Sequence, residues 1–390
     1  MIESHAYVWS ERFWLPGNMT WTDLQNFTKG YELQGMMRHC IFIAFTLSFL
    51  RVFITSFLLI PLGSVFGLKP PKRRNIASVP LLESIYSKNH RPKKELLESL
   101  STEVNMPIKA VEFWFHKRRN LEKKPCVIKF AESGWRLFFY SSMFFYGLIA
   151  LYDKDYFYDV KLSLVEYPAF KIPDEIYWYY AIELAYYISE MFWVFHGVRR
   201  SDFYVLLIHH MATVGLLSFS YVINHHRIGA LILILHDVAD CWMESAKMFK
   251  YVKRHDISEK LFAIFVVVWI LTRLCYFPFW IIYTIFTAYP FPAYPTYYII
   301  VSWLMLLQIM HIYWFYLIAK IVVQVKMKGE TARDCRSDSD TSDDVNYNVG
   351  VSNGVTDSPN HQLPNGNGTL PASSQVFHRK LPPSKSNESL

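Results

Sequence analysis

Four ionisable residues lie inside two consecutive apolar segments of the chain. His209 and His210 occur in FYVLLIHHMATVGLLSFSYVI, and Asp237 and Asp240 occur in GALILILHDVADCWMESAKMF. An ionisable side chain at bilayer depth is costly even on lenient insertion scales, so such residues commonly have a function. An imidazole oriented by a carboxylate can act as a base or as a nucleophile. The sequence therefore predicts acyl transfer, in which a histidine takes a proton from an attacking amine or itself accepts the acyl group.

Two other interpretations use the same four residues. The histidines and aspartates could pair only to hold helices together, although two of each type favour a functional site. Imidazole and carboxylate ligands also suit iron or zinc. Di-iron membrane enzymes, however, need many more histidines as ligands. Here the only further histidine pair is His225-His226. The five cysteines show no paired spacing typical of zinc sites or disulfide frameworks. We expect no metal and no bound cofactor.

The second apolar segment concentrates its acids on one helix face. Asp237, Asp240 and Glu244 follow each other at i, i+3 and i+7, and His236 lies round the side of the same helix. A short turn between the two segments makes them antiparallel neighbours. The histidine pair and the aspartate pair are therefore expected to meet at similar depth, in the cytosolic half of the bilayer. Glu244, His236 and the intramembrane Arg273 are candidate substrate-binding residues. Arg273 could instead pair with a carboxylate, and the sequence leaves both roles open.

Further polar residues in the apolar segments favour a tunnel over a plain helix bundle. Glu183 and Glu190 lie seven residues apart and share a helix face. Gln308 and His311 lie three apart on the last segment. Pro278 is expected to kink the helix that carries Arg273.

Seven apolar stretches, each near the roughly 20 residues that cross the hydrocarbon, predict an all-α polytopic membrane protein. They are 37–63, 134–152, 177–198, 203–224, 229–249, 261–287 and 296–322. With 52% hydrophobic and only 19% charged residues, the composition agrees with this class. Lys and Arg concentrate in alternate connections, which places the N-terminal segment 1–36 in the lumen and the C-terminus in the cytosol. Five spans would also satisfy the termini if a polar pair were re-entrant or interfacial.

A polar insert at 68–128 shows three helical patterns, and the third, AVEFWFHKRRNLEKK, resembles a homeodomain recognition helix. DNA reading requires an asparagine where Lys117 stands. We therefore interpret Trp114 and Phe115 as core residues of a small Hox-like module. Arg118 and Arg119 are interpreted as a patch for the membrane surface or a protein, and DNA binding is the less favoured alternative.

The ends of the chain carry candidate modification sites. Residues 329–390 lose their apolar content and are predicted to be a disordered cytosolic tail with an acidic-serine block. The candidate phosphate acceptors in that block are Ser337, Ser339, Thr341 and Ser342. A solvated tail without such a role is equally consistent with the sequence. Two sequons, at Asn18 and Asn26, fall on the predicted luminal side, as glycosylation requires.

The segment from His209 to Tyr251, with HH, RIGxLxxxLHDxxD and ExAKMxxY, closely resembles the Lag1 motif of the ceramide synthases. The segment WSERFWLPGNMTWTDL and the Hox-like insert resemble the animal members, so the likeness covers about residues 9–340. The resemblance implies a TLC-type membrane domain, here about 130–325, in the endoplasmic reticulum. It also implies transfer of a fatty acyl group from acyl-CoA, as co-substrate, to the amino group of sphinganine or sphingosine. The residues that match the family's essential set are His209, His210, Asp237 and Asp240.

The resemblance further implies that Asn18 is glycosylated, that the acidic-serine block is phosphorylated, and that the chain pairs with itself or with a related synthase. Glu190 departs from the family's usual apolar residue, and the connection at about 287–297 is expected by analogy to influence acyl length. Two rival functions remain. A non-catalytic TLC lipid carrier or chaperone would not need the His/Asp set. A membrane-tethered, lipid-responsive transcription regulator would act through the module at 68–128 and bind DNA with steep salt dependence.

Overall fold

The structure is a computed structural model that describes residues 10–17, 19–27, 33–68, 78–122, 124–196, 202–288 and 294–328. Every regular element within these ranges is helical. Asn18 and the whole tail lie outside them, including Ser337, Ser339, Thr341 and Ser342, as does part of the 287–297 connection. The glycosylation, phosphorylation and acyl-length expectations therefore stay predictions.

Residues 11–122 form two short helices, one long helix and a three-helix module. The short helices are α1, Glu11–Trp14, and α2, Trp21–Phe27. The long helix consists of α3, Leu33–Phe53, a π-helical stretch, Ile54–Leu59, and α4, Ile60–Val65. The module consists of α5, Pro80–Lys88, α6, Lys94–Glu103, and α7, Ile108–Glu122.

Six further long helical elements follow, and one of them is built from three stretches joined without a break. The first is α8, Cys126–Leu151, followed by α9, Asp155–Tyr158, and a 3-10 helix, Val160–Leu164. Next come α10, Asp174–His196, α11, Phe203–Val222, and α12, His226–Tyr251. Then α13, His255–Trp269, continues through a π-helical stretch, Ile270–Ile282, into α14, Tyr283–Ala288, and the last is α15, Pro295–Lys328.

Four helical stretches of the described chain are long and apolar enough to cross a membrane. They are Leu33–Val65, Phe203–Val222, His255–Thr287 and Pro295–Gln324. The remaining long helices, α8, α10 and α12, are more polar, and α12 carries both predicted aspartates in its middle. Ionisable groups make these helices less hydrophobic, so length and composition alone do not identify them as membrane-spanning.

Helix α12 lies at the centre of the bundle. It packs against α8, α13, the second π-helical stretch, α10 and α11, while α3 packs on α10 and α15 on α11. Gly229 of α12 faces the Tyr180 hydroxyl so closely that a Cβ there would collide with it. Pro278, where the sequence predicts a kink, lies within the second π-helical stretch. Proline has no N–H to donate, and both proline and π-helical turns are known causes of helix kinks.

The three-helix module has a hydrophobic core of its own. Its buried members are Leu82, Tyr86, Leu97, Leu100, Val111, Trp114 and Phe115. The prediction that Trp114 and Phe115 are core residues is therefore confirmed. Arg118, predicted to belong to a contact patch, donates from Nε to both oxygens of Glu83 at 3.1 Å and lies over the Tyr86 ring. Arg119 donates from Nη1 to the His90 carbonyl at 3.0 Å. Both arginines thus stabilise the packing of α7 within the module.

Candidate functional site

The turn between α11 and α12 fixes the relative height of the two helices. Asn224 adopts a left-handed φ of 63°, which asparagine tolerates better than most residues. Its side-chain amide donates to the carbonyls of Pro168 and Phe170, each at 2.8 Å. His210 lies fourteen residues before this turn and Asp237 thirteen residues after it. At about 1.5 Å per residue, the histidine and aspartate pairs therefore stand at similar depth, as the sequence predicts.

A polar cavity of about 130 Å³ lies where these helices meet. Its wall contains five of the predicted site residues: His209, His210, Asp240, Glu244 and Arg273. Both adjacent histidines face the same space even though neighbouring positions on a helix point about 100° apart. This geometry requires a central cavity, and the bundle provides one.

Asp237 lies behind the cavity wall rather than in it. Its side chain is 1% exposed and accepts a hydrogen bond from the Tyr179 hydroxyl at 3.2 Å. Asp240, three residues later, faces the cavity. The paired aspartates therefore occupy different environments, which their spacing does not reveal.

Aromatic side chains of α10 and α15 pack against the two histidine rings. The ring centroid of His210 lies 5.7 Å from that of Tyr187. His209 meets Trp314 edge-on, with centroids 5.1 Å apart. Trp314 in turn donates from Nε1 to the Asp202 carboxylate at 3.0 Å, next to the start of α11. These contacts restrict the rotamers of both imidazoles.

Arg273 contacts Asp240 directly. Its Nη2 lies 3.2 Å from the Asp240 carboxylate and also donates to the His236 carbonyl at 2.9 Å. The guanidinium stacks over Trp269, with 4.6 Å from its carbon to the ring centroid. Of the two roles that the sequence leaves open for Arg273, the structure shows pairing with a carboxylate. Because Arg273 also lines the cavity, contact with an anionic substrate group stays a prediction.

Glu244 lies between two cations. Its carboxylate accepts from Arg136 Nε at 3.0 Å and from Lys247 Nζ at 2.9 Å. The three side chains together carry one net positive charge, and all three line the cavity. Since both cations already bind it, Glu244 holds Arg136 and Lys247 in the cavity wall.

A further ion pair in the cavity wall was not predicted from the sequence. Arg51 of α3 pairs through Nη1 with Glu190 of α10, and its guanidinium lies 4.8 Å from the centre of the Trp193 ring. Arg51 and Arg136 both interrupt apolar runs, in SFLRVFI and SGWRLFF, as Arg273 does in its own segment. That signal could have identified both arginines.

A smaller, apolar cavity of about 50 Å³ adjoins the polar one, and the Tyr187 side chain lines both. His236, a candidate for substrate binding, lines this second cavity rather than the first, and so does His225. Most of the remaining wall is aliphatic: Leu216, Leu217, Ile228, Ile232, Leu233, Ile285, Ile300, Leu304 and Leu307. The site thus combines a polar chamber with an apolar one.

Within the described ranges, no group of three or more His, Cys, Asp or Glu side chains is arranged to hold a metal ion. The expectation that no metal or cofactor takes part stays a prediction.

Comparisons with known proteins show the family of this chain. A family model described as the TLC domain matches residues 129–320, and a homeodomain model matches residues 72–124. Human ceramide synthase 5 is 36% identical over 342 residues, covering 86% of this chain and 87% of that protein. The chain belongs to the ceramide synthase family. The resemblance seen in the HH, RIGxLxxxLHDxxD and ExAKMxxY motifs is thereby confirmed.

Other family members show similar coverage. Human ceramide synthase 3 is 36% identical over 343 residues, covering 86% of this chain and 88% of that protein. The ceramide synthase hyl-1 of Caenorhabditis elegans is 30% identical over 348 residues, covering 86% of this chain and 84% of that protein. With its four strongly apolar helices, this family member is a multi-pass membrane protein. Arg51 of the cavity wall lies outside both matched regions.

Proposed function

We propose that this chain transfers a fatty acyl group from acyl-CoA to the amino group of a sphingoid base, giving ceramide or dihydroceramide. The observation that carries this proposal is the shared cavity: His209, His210 and Asp240 line one polar chamber that adjoins an apolar one at Tyr187. The polar chamber suits the reacting groups, and the apolar chamber suits a hydrocarbon chain. The names of the family's members support the same reaction.

The reaction needs proton transfer at two atoms. The amine nitrogen attacks the thioester carbonyl, the carbon–sulfur bond breaks, and CoA leaves as a thiolate. A histidine of the pair takes the proton from the attacking nitrogen and returns it to the thiolate sulfur. In the covalent alternative, an imidazole nitrogen attacks the thioester, the carbon–sulfur bond breaks and CoA leaves as a thiolate. The amine then attacks the acyl-imidazole, the bond from the carbonyl carbon to the imidazole nitrogen breaks, and the amine proton passes through the imidazole to the thiolate. Both routes use the same cavity.

Asp237 and Asp240 have different parts in this proposal. Asp240, held by Arg273, presents negative charge to the cavity, where a histidine gains positive charge as it accepts a proton. Asp237, bonded to Tyr179, lies behind the wall and orients the groups around it. The other histidine helps to position substrate.

The substrates are proposed to enter from the cytosolic side. Besides Arg273, which holds Asp240, the polar chamber contains four cations that suit the phosphates of CoA: Arg51, Lys129, Arg136 and Lys247. The acyl chain then extends past Tyr187 into the aliphatic chamber. No cofactor beyond the co-substrate acyl-CoA is needed.

We further propose seven spans in the endoplasmic-reticulum membrane, with the N-terminus luminal and the C-terminus cytosolic. The four apolar helices and the three more polar helices α8, α10 and α12 supply that number. Pairing with itself or a related synthase belongs to the same proposal. DNA binding by the module does not, because Arg118 is held by Glu83 and Lys117 stands at the adenine-reading position.

The proposal is tested with the purified full chain in lipid nanodiscs, supplied with sphinganine and a series of acyl-CoAs from medium to very long chain. Mass spectrometry should detect N-acylsphinganine and one free CoA per product molecule. If the protein instead binds sphinganine or acyl-CoA but forms no N-acyl product with any member of the series, it is a lipid carrier.

A further inference from the structure

His311 of α15 lies fully buried behind the cavity, next to the arginine that binds Asp240. Its side chain is 0% exposed. Its Nε2 lies 3.1 Å from Nε2 of His236 and 3.4 Å from Nη1 of Arg273. The rings of Trp269 and Phe277 enclose it, with centroids 6.0 and 5.2 Å away. His311 does not line either chamber.

The backbone fixes which nitrogen of this histidine pair carries the proton. His236 Nδ1 lies 2.6 Å from the Ile232 carbonyl oxygen, and a carbonyl can only accept. His236 therefore carries its proton on Nδ1, and its Nε2 is an acceptor. The 3.1 Å contact then requires that His311 donates from Nε2. His311 Nδ1 is left without a hydrogen-bond partner in the described part of the chain.

This arrangement encloses the guanidinium of Arg273 on several sides. Trp269 covers one face of it, and the His236 carbonyl binds Nη2. The His311 ring packs beside Nη1, at a distance beyond the usual hydrogen-bond length. Because His311 also bonds the His236 side chain, it braces the residue whose carbonyl anchors Arg273. The other N–H of Nη2 donates to the Asp240 carboxylate.

We propose that His311 is a positioning residue for acyl transfer, acting through His236 and Arg273 on Asp240. This inference rests on the proposed acyltransfer reaction. A misplaced carboxylate weakens catalysis without changing how the substrates bind, because geometry errors of about 1 Å are costly at the reacting atoms. The expected signature is therefore a loss in kcat at nearly constant KM.

Two variants distinguish the effect of the His311 hydrogen-bond donor from the effect of its side-chain shape. His311→Phe keeps a ring of similar size but removes the N–H, and His311→Gln keeps a donor that can reach His236 Nε2. We expect His311→Phe to lower kcat about tenfold, the upper end of the range for losing one hydrogen bond between neutral groups. KM for acyl-CoA and for sphinganine should stay within about threefold, and His311→Gln should recover most of kcat.

A packing control comes from Phe277→Leu, which removes a ring that contacts His311 without removing a donor. This variant should unfold at a lower temperature but keep its kcat per folded molecule. Rates are measured in nanodiscs and normalised to the monodisperse folded fraction. Wild-type kcat in His311→Phe overturns the inference, as does an equal loss in His311→Phe and His311→Gln. Inactive wild-type protein with every acyl-CoA removes the proposed function and this inference together.

Discussion

The buried pair of Arg51 and Glu190 offers a quantitative test of how the first long helix joins the bundle. The two side chains are 6% and 10% exposed, and they link α3 to α10 across 139 residues of sequence. Arg51→Met removes the cation and leaves the Glu190 carboxylate buried without its partner. Breaking a buried pair in this way costs about 3–5 kcal/mol, most of it from the uncompensated charge.

The double variant Arg51→Met/Glu190→Leu distinguishes charge from packing. It removes both charges and fills the space with apolar atoms, so its stability should lie within about 1 kcal/mol of wild type or exceed it. Lys94→Met is the matched surface control, because Lys94 and Glu98 lie 4.0 Å apart with side chains 82% and 52% exposed. That exposed pair should contribute no more than about 0.5 kcal/mol.

Thermal unfolding of the full chain in detergent, followed by loss of the monodisperse peak, provides the assay. Arg51→Met should lower the apparent Tm by about 5–10 °C, since 1 kcal/mol shifts Tm by roughly 2–4 °C at 150–250 residues and by less in longer chains. A shift no larger than that of Lys94→Met would refute the reasoning. So would a double variant as unstable as Arg51→Met, because the loss would then reflect packing alone.

Three further predictions follow from close contacts. Gly229→Ala should cost about 1–3 kcal/mol in detergent unfolding, because its Cβ meets the Tyr180 hydroxyl, and adding Tyr180→Phe should recover part of this loss. Arg118→Ala should speed hydrogen exchange in α5 and α7 of the full chain, because it removes the two bonds to Glu83, while exchange in α12 stays unchanged. Tyr187→Trp should shift the products, read by mass spectrometry, towards shorter acyl chains, because a larger ring narrows the junction of the chambers.

The sequence identifies the central residues because charge in an apolar run is conspicuous. The histidine pair, Asp240, Glu244 and Arg273 could all be found this way, and the structure brings them to one cavity. Helical spacing also places the acids on a common face. It cannot set how far that face is rotated towards the cavity. Packing against Tyr179 sets this rotation and turns Asp237 away from the chamber.

Contacts between distant segments could not be predicted from spacing. Arg51 is as conspicuous as Arg273, but its partner lies 139 residues away on another helix. The sequence shows His311 only as a polar residue three positions after Gln308, because its bond to His236 depends on where the folded chain places α15. The number of spans is obscured for a different reason. Helices α8, α10 and α12 each carry several ionisable residues, so they are not among the four helices that are apolar enough to be identified as spans.

The most direct test of the account compares N-acylsphinganine formation by wild type, His210→Ala and His255→Ala in nanodiscs. His210 faces the polar chamber, whereas His255 is exposed at the start of α13. The account predicts that His210→Ala abolishes product formation while the protein stays folded, and that His255→Ala keeps wild-type activity. Full activity of folded His210→Ala would contradict the assignment of acyl transfer to this cavity.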